Sequence, residues 1–292
     1  MYSIALIMPY FGDWPIWSDL FFQSCRYNNS IDFLFYTDNE PPQSAIGAKN
    51  IIFNKITFKE YCNRVSAFLD IDFHPTRVYK LCDLRPFYGF IHQQEIKEYD
   101  FWGYGDVDLV WGDIRKFYSD DLLQKYDIFS THTDRLSGHL AIIRNKPEYT
   151  EMAFRYRHWR EMLCDNRNHI FDEQGFTLLF HPAARILWRI HKWVFHKFRF
   201  RNDWVAYNRF CEKYNQFFGL KRRRVYFKEQ NTTPWDNKKQ WLYSNGCMYD
   251  LQTNDEIIYL HFLLMKKKWT GDYFHPSIDG TIISFDGIHP IQ

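Results

Sequence analysis

The chain lacks closely spaced cysteines. Its six cysteines, spread over 292 residues, include no Cys-x-x-Cys pair, which argues against a zinc site and against a thioredoxin-type redox site. Reduced thiols, most of them buried, are the usual state of such cysteines in the cytosol. We therefore expect a cytoplasmic protein with reduced cysteines.

The chain also lacks a long hydrophobic run. The first apolar stretch, Met1-Tyr-Ser-Ile-Ala-Leu-Ile-Met8, follows no positively charged segment and stops at Pro9. It is too short for a signal peptide or a membrane span, so it predicts a buried first strand. The sequence contains no internal repeat and no low-complexity segment.

Aromatic residues are abundant, and one segment is strongly basic. Aromatic residues make up 20% of the sequence, and aromatic surfaces commonly contact sugars, bases, proteins or membrane interfaces. The net charge is only +2, but basic residues greatly outnumber acids between Arg185 and Arg224.

The basic segment also carries Leu187, Ile190 and Val194 at helical spacing. A basic aromatic helix is able to lie on an anionic membrane surface, so peripheral contact with the inner face of the cytoplasmic membrane is one interpretation. The other is a helical subdomain whose basic side faces the acidic remainder of the chain. We expect no nucleic-acid binding, because no recognised module accompanies the basic residues.

Apolar runs alternate with helical patterns early in the chain, which predicts an α/β fold with a mostly parallel sheet flanked by helices. We divide the chain into a nucleotide-sugar-binding and catalytic core at 1–181, a basic aromatic helical segment at 182–224 and a C-terminal part at 225–292. The predicted strands are 3–8, 32–36, 50–53, 101–105, 127–130, 140–144, 225–227 and 257–261. The predicted helices are 17–26, 57–69, 77–92, 147–163 and 172–180.

The most informative motif is an aromatic run that ends in Asp106-Val-Asp108. A strand that ends there delivers its acids to the carboxyl edge of the sheet, where open α/β sheets bind ligands. Two neighbouring acids repel each other unless a cation lies between them, and oxygen ligands suit Mg²⁺ or Mn²⁺. We interpret the pair as a metal site for a diphosphate. The alternative is a turn with two solvated acids, because Asp70-Ile-Asp72 shows the same pattern after a predicted helix.

Three further groups of residues have two interpretations each. Lys80 and Asp83 share a helix face, so Lys80 either contacts a phosphate or forms a surface ion pair. Ser137-Gly138 permits close approach of the backbone to a ligand, or is a simple turn before a strand. Asp172 and Glu173 lie at a predicted helix start, where they either bind a hydroxyl or act as a base, or compensate the helix dipole.

His261 ends a predicted strand and precedes Lys266, Lys267 and Lys268. A histidine there is able to join two carboxylates on a cation, and that ligand mixture favours Mn²⁺ over Mg²⁺. The lysines would supply positive charge for a diphosphate. The alternative is a structural histidine, which is the more common role of a histidine without such neighbours.

The order of these motifs resembles that of the glycogenin-like retaining glycosyltransferases, which have the A-type fold. Members show a Tyr-Tyr-Arg-like helical segment, Asp-x-Asp followed by Gly-Asp-Leu or Gly-Asp-Ile, Asn-Ser-Gly, Asp-Gln-Asp and a late His-x-x-Gly-x-x-Lys-Pro-Trp. The segments that resemble them are Val78-Tyr79-Lys80, Asp106-x-Asp108 with Gly112-Asp113-Ile114, Ser137-Gly138, Asp172-Glu173, and His261 with Lys267 and Trp269. The chain is also similar to a bacterial subgroup with Lys-Leu-Cys-Asp-Leu-Arg-Pro and Trp-Gly-Asp-Ile-Arg-Lys-Phe signatures.

The chain departs from the family pattern at four positions. Leu264 replaces a glycine, Lys268 replaces a proline and Lys80 replaces an arginine. Glu173 stands where glutamine is usual, and inverting A-type enzymes keep their base at this place. The resemblance therefore implies retention of configuration, with inversion as the alternative and Glu173 or Asp172 as its base.

The resemblance implies an A-type glycosyltransferase that moves a sugar from a nucleotide-diphosphate sugar, UDP-linked, to a glycan or lipid-linked acceptor in bacterial surface polysaccharide synthesis. It implies Mn²⁺ or Mg²⁺ on Asp106, Asp108 and His261. Donor-binding residues would be Pro9, Tyr10, Gly12, Thr37, Asp38, Lys80 and Lys267. Catalytic residues, or residues that contact the sugars, would be Asp172, Glu173 and His139.

Other classes also use paired acids. A nucleotidyltransferase or phosphohydrolase usually needs further carboxylates for a second metal. A non-catalytic carbohydrate-binding protein on the same fold would have kept the architecture and lost turnover.

Overall fold

The structure, a computed structural model, describes residues 1–181, 189, 224–230, 232–234, 236–269 and 280–290. The expected basic aromatic helical segment at 182–224 thus lies outside the described residues, except for Arg189 and Arg224. Within the described part, no helix is both long enough and apolar enough to span a membrane. The five cysteines in that part are free thiols.

A seven-stranded sheet lies at the centre of the fold. Its strands are β1 (Ile4–Pro9), β2 (Asp32–Thr37), β3 (Ile51–Lys55), β4 (Phe101–Gly105), β6 (Ile128–Ser130), β7 (Leu140–Arg144) and β8 (Val225–Phe227), in the order β3-β2-β1-β4-β7-β6-β8. Strands β3, β2, β1 and β4 are parallel to one another, β7 is antiparallel to both β4 and β6, and β8 is parallel to β6. The expected α/β fold, with a mostly parallel sheet flanked by helices, is confirmed.

Short helices cover both faces of this sheet. In the described part they are α1 (Ser18–Tyr27), α2 (Phe58–Leu69), α3 (Leu81–Leu84), α4 (Tyr88–Ile91), α5 (Ile114–Phe117), α6 (Asp120–Lys125), α7 (Pro147–Thr150), α8 (Trp159–Cys164) and α9 (Thr177–Phe180). Alternate residues of β1 point to opposite faces: Ile7 packs in the cluster of α2, whereas Leu6 packs in the cluster of α1.

The predictions of one continuous helix at 77–92 and another at 147–163 are wrong, because each segment consists of several short helical elements. The first segment contains, in order, a 3₁₀ turn at Val78–Lys80, α3, a 3₁₀ turn at Arg85–Phe87 and α4. Pro86 lacks the N–H that a continuous helix needs there. The second segment consists of α7, a 3₁₀ turn at Met152–Arg155 and α8.

The C-terminal part forms a second, five-stranded sheet and a ribbon that returns to the first sheet. The second sheet contains β9 (Gln240–Ser244), β10 (Cys247–Asp250), β11 (Glu256–Ile257), β13 (Thr281–Ser284) and β14 (Gly287–Pro290), in the order β11-β10-β9-β13-β14. The ribbon pairs β5 (Leu109–Trp111) with β12 (Tyr259–His261), antiparallel, and places His261 opposite Leu109. The predicted strand 257–261 is thus two strands, separated at Ile258.

Gly112 lets the two strands of this ribbon approach each other. Its N–H donates to the carbonyl of Ile258 at 2.8 Å. A Cβ at Gly112 would lie 2.5 Å from the carbonyl oxygen of Ile257, a distance that real Cβ atoms do not tolerate. The glycine after β5 therefore sets how closely the C-terminal part returns to the end of β4.

Candidate active site

The acid pair lies at the carboxyl end of β4, beside β1. Its loop is fixed from three directions by hydrogen bonds of the backbone. The Asp106 N–H donates to the His139 carbonyl at 3.2 Å, and the Phe262 N–H donates to the Asp108 carbonyl at 2.9 Å. The indole N–H of Trp17 donates to the Val107 carbonyl at 2.9 Å. Residues next to β7, β12 and α1 thus hold the loop of the two carboxylates in place, so it is not a solvated turn.

His261 meets the acid pair because β12 runs alongside β5. Its Nε2 lies 3.4 Å from Asp108 Oδ2, and its own N–H donates to the Thr232 carbonyl at 2.9 Å. Its Nδ1 lies 3.0 Å from the hydroxyl of Thr233. The imidazole is buried, and its ring is oriented from both nitrogens.

Two cations of the chain neutralise the acid pair. Arg85 forms an ion pair with Asp106, and Lys266 forms one with Asp108. Burial raises the pKa of Asp106, and Arg85 opposes that rise. Burial also acts to raise the pKa of Asp108, but His261 and Lys266 outweigh it and hold that pKa well below its usual range.

His139 packs against His261, with ring centroids 3.7 Å apart. Asp106, His139 and His261 each offer one ligand atom, and these atoms lie within 4.8 Å of one another. The His139 Nδ1 lies 3.5 Å from the phenol oxygen of Tyr259. Burial first, and then the neighbouring His261 and His132, lower the pKa of His139 well below its usual value, so the imidazole is neutral at pH 7.

Asp172 and Glu173 lie on a single π-helical turn, Phe171–Gly175, rather than at the start of the predicted regular helix. Arg85 donates to Asp172 Oδ2 at 2.8 Å, and Arg135 Nε lies 3.3 Å from Glu173 Oε2. Burial raises the pKa of Asp172 to about 7, against the lowering effect of Arg85. Each acid of this turn is therefore paired with its own guanidinium group.

Asp83 ties the π-helical turn to the segment before β4. Its carboxylate accepts from the N–H of His169 and from the N–H of Phe171, each at 2.9 Å. The preceding residue of the turn, Ile170, has a φ of 52°, a conformation that is strained for a β-branched side chain. Asp83 thus holds a strained entry into the turn that carries Asp172.

Lys80 is buried beside Asp83 and does not line the cleft, so the expected contact of Lys80 with a phosphate is wrong. Its Nζ lies 3.1 Å from Asp83 and donates to the carbonyls of Met162 and Arg167 at 2.6 Å each. A 3.4 Å contact to Asp165 completes the set. Since all donors of the ammonium group are engaged, Lys80 positions the loop before Asp172.

The acid pair, the two histidines and the acids of the π-helical turn border one cleft of about 650 Å³. Aromatic and aliphatic side chains form part of its lining, and one of them, Tyr79, is 70% exposed. The polar groups that line it are Tyr10, Arg85, Asp106, Asp108, His139, Asn168, Asp172, Glu173, His261 and Lys266. A lining that combines apolar side chains with convergent acids, imidazoles and cations is the usual construction of a small-molecule site.

Comparison with known families gives one match that spans most of the chain. The sequence profile of a family described as a family of unknown function, DUF6625, matches residues 6–290. The chain belongs to this family. No curated protein sequence matches this DUF6625 member significantly.

Solved structures that resemble this DUF6625 member are described as glycosyltransferases. The galactosyltransferase LgtC in complex with donor and acceptor sugar analogs has 14% identity and a TM-score of 0.34, covering 60% of this chain and 69% of its own. Mouse xyloside xylosyltransferase 1 has 12% identity and a TM-score of 0.37, covering 62% of this chain and 81% of its own. A glycosyltransferase involved in glycosylating the major capsid of PBCV-1 has 9% identity and a TM-score of 0.34, covering 91% of this chain and 96% of its own. Scores of this size carry no inference about activity.

Most of the site residues expected from the sequence border the cleft of this DUF6625 member. They are Pro9, Tyr10, Asp106, Asp108, His139, Asp172, Glu173 and His261. Three others lie outside the lining. Thr37 is buried and accepts the N–H of Asn39 at 3.1 Å, Asp38 is exposed, and the Gly12 carbonyl accepts from the Asn39 side chain at 2.6 Å.

Lys267, the lysine expected at the diphosphate, lies outside the lining of the cleft, whereas Lys266 belongs to it. Lys267 is exposed, whereas Lys266 reaches Asp108. The 3₁₀ turn Met265–Lys267 places successive side chains about 120° apart, so only one of the lysines faces the cleft. Sequence reasoning also assigned no role to Arg85, although its motif, Lys80-Leu-Cys-Asp-Leu-Arg85, stood out in the chain.

Proposed function

We propose that the protein is a metal-dependent glycosyltransferase that uses a nucleotide-diphosphate sugar, UDP-linked, as donor. The acceptor is a glycan or a lipid-linked glycan in bacterial surface polysaccharide synthesis. One observation carries the proposal: Asp106, Asp108 and His261 converge with Lys266 in one cleft at the carboxyl ends of parallel strands. Such an edge is where α/β sheets bind nucleotides.

The residues at this edge fit a divalent metal. They combine the carboxylate oxygens of Asp106 and Asp108 with the imidazole nitrogen of His261, which is a donor set that suits such an ion. Asp106, Asp108 and His261 would hold Mn²⁺ or Mg²⁺. When bound, the metal supplies a Lewis acid that stabilises the departing nucleoside diphosphate.

The remaining charges act on the donor. Lys266 is 32% exposed on its side chain, so its ammonium group is free to exchange Asp108 for a phosphate oxygen. A cation there stabilises the negative charge that grows on the leaving oxygen as the sugar–phosphate bond breaks. Tyr10 and Pro9, at the end of β1, flank the nucleotide.

Asp172 contacts hydroxyl groups of the donor sugar. It is held by Arg85, which also holds Asp106, so one guanidinium group fixes the sugar-binding acid relative to the metal-binding acid. Acids that are held in place before the substrate binds lower the entropy cost of positioning that substrate. Glu173 faces the acceptor.

We propose retention of configuration. Each candidate base is paired with a guanidinium group, Asp172 with Arg85 and Glu173 with Arg135, which disfavours proton abstraction from the acceptor. In the inverting alternative, Glu173 or Asp172 takes that proton. NMR of the product decides between the two, because its anomeric configuration is compared with that of the UDP-sugar supplied as donor.

The domain division follows from the same proposal. Residues 1–181 bind and activate the donor, residues 225–292 complete the metal and diphosphate site, and residues 182–224 face the acceptor or an anionic membrane. Sedimentation with anionic vesicles tests the membrane contact. Binding that disappears at high salt supports it, and no binding at low salt removes it.

Release of nucleoside diphosphate tests the activity. We expect Mn²⁺ to stimulate release from a UDP-sugar, and Asp106→Asn and Asp108→Asn each to abolish it. Asp72→Asn is the matched control, because it changes the other Asp-x-Asp of the chain, where the Asp72 side chain is 88% exposed. Equal release by Asp106→Asn, Asp108→Asn and the wild type would mean that the acids have no role in turnover, and binding of the donor without release would favour a carbohydrate-binding protein.

A further inference from the structure

We propose that His139 is a ligand of the bound metal, so that a second imidazole joins Asp106, Asp108 and His261. This inference depends on the metal site of the proposed function. It adds a ligand that the family resemblance does not imply, since the resemblance assigns only two carboxylates and one histidine to the ion. It also decides which metal the site prefers.

The first argument is proximity. The ligand atoms of Asp106, His139 and His261 lie within 4.8 Å of one another, and the centroids of the two imidazole rings are 3.7 Å apart. The backbone supports this arrangement, because the carbonyl of His139 accepts the N–H of Asp106 at 3.2 Å. The turn that carries His139 is thus bonded directly to the turn that carries the acid pair.

The second argument is the orientation of the two rings. In each, Nδ1 lies near a hydroxyl group: the Tyr259 phenol at 3.5 Å from His139, and the Thr233 hydroxyl at 3.0 Å from His261. Histidine ligands of metals commonly have one ring nitrogen hydrogen-bonded to a carboxylate, a backbone carbonyl or water, which fixes the ring and leaves the other nitrogen for the ion; here a hydroxyl group takes the place of that partner. Within the described part of the chain, Nε2 of His139 has no hydrogen-bond partner.

The third argument is that the partner of His139 is itself fixed. The phenol of Tyr259 lies 2.8 Å from the hydroxyl of Thr131 and 3.4 Å from that of Ser137. Tyr259 belongs to the same short strand, β12, as His261. One strand therefore supplies one proposed ligand directly and orients the other through its first residue.

The consequence concerns metal selectivity. A site with two imidazole nitrogens favours Mn²⁺ and later transition metals over Mg²⁺, because Mg²⁺ prefers oxygen ligands and retains its water. Of the two ions that fit the site, the structure therefore assigns Mn²⁺. Mg²⁺ is expected to compete only at large excess.

Pulsed EPR of Mn²⁺ bound to the whole protein, alone and with UDP, counts the nitrogen ligands directly. We expect nitrogen couplings from two imidazoles in the wild type and from one in His139→Gln, with Mn²⁺ affinity reduced about tenfold or more. His132→Gln is the control: His132 is also buried beside His139, with ring centroids 5.9 Å apart, but it pairs with Glu229 and does not border the cleft. It should keep both couplings.

The outcomes separate this inference from the proposed function. A wild-type signal with one imidazole, lost in His261→Gln and unchanged in His139→Gln, overturns the role of His139 and leaves the metal site in place. No bound Mn²⁺ in the wild type, with or without UDP, overturns the metal site as well. Because the wild-type count needs no substitution, a variant that fails to fold does not obscure the result.

Discussion

His261 Nε2 lies 3.4 Å from Asp108 Oδ2, although the two residues are far apart in the sequence. The antiparallel pairing of β5 with β12 produces this contact, because it places Leu109, the neighbour of Asp108, opposite His261. The N-terminal sheet supplies the acids and the C-terminal part supplies the imidazole. The proposed metal site therefore exists only when both parts are folded together.

Gly112→Ala should separate the two halves of the site. The new methyl group would lie 2.5 Å from the Ile257 carbonyl, and a backbone atom cannot rotate away as a side-chain tip can. We expect the ribbon to open, His261 to move from Asp108, and Mn²⁺ affinity to fall about tenfold or more. Titration with Mn²⁺, monitored by EPR, measures the affinity.

Gly89→Ala is the matched control for this substitution. Its methyl group would meet the Trp102 side chain at 2.5 Å, so it also perturbs a packed position, but in α4 rather than in the ribbon. It should lower the free energy of unfolding while keeping Mn²⁺ affinity within about twofold. An equal loss of affinity in both variants would show that general destabilisation, rather than the ribbon, explains the effect.

Lys266→Met should reduce turnover of the donor far more than Lys267→Met. Lys266 contacts Asp108 in the cleft, and Lys267 is exposed. Loss of one positioned cation at a developing charge costs about a hundredfold in rate, whereas the exposed lysine should contribute less than about twofold. Steady-state kinetics of nucleoside diphosphate release compare the two, and similar rates for both variants would remove Lys266 from the diphosphate site.

Lys80→Met should destabilise the fold. Lys80 and Asp83 are an ion pair with side chains 1% and 0% exposed, and the substitution leaves Asp83 buried without its cation. Breaking such a pair costs about 3–5 kcal/mol. Urea unfolding followed by circular dichroism measures the change.

Lys97→Met is the corresponding surface control. Lys97 lies 3.9 Å from Glu98, and both side chains are mostly exposed. Its loss should change the free energy of unfolding by less than about 0.5 kcal/mol. If Lys80→Met cost as little, the buried pair would not be anchoring the loop before Asp172.

The central sheet could be predicted because its signals are local. The first strand, for example, shows a short apolar run that stops at Pro9, and the fourth ends at a visible pair of acids. The roles of individual cations could not be predicted in the same way. The spacing of Lys80 and Asp83 indicated a pair, but its burial depends on carbonyls from Met162 and Arg167, which are remote in the sequence.

The candidate site shows the same division between local and non-local information. The acid pair and His261 could be identified because the pair directly follows a strand and His261 is the last residue of one. Lys266 faces the cleft and Lys267 does not because of a 3₁₀ turn at Met265–Lys267. Three consecutive lysines show no pattern from which this turn could be predicted. The short β5 strand and the second sheet were missed, since their stability comes from pairing with distant segments.

Asp172 should make the stability of the protein fall as the pH rises. Burial raises its pKa to about 7 in the folded state, whereas a carboxyl group in an unfolded chain has a pKa of about 3.9. Between these values the folded protein keeps a proton that the unfolded chain has lost, so the contribution is present below about pH 4 and is lost by about pH 7. The slope is at most about 1.4 kcal/mol per pH unit. Asp172→Asn cannot titrate, so the free energy of unfolding of the wild type minus that of the variant, measured in urea without metal, should decrease from pH 4 to 7 and stay level above. A difference that stays level from pH 4 to 7 would mean that Arg85 keeps Asp172 ionised throughout that range.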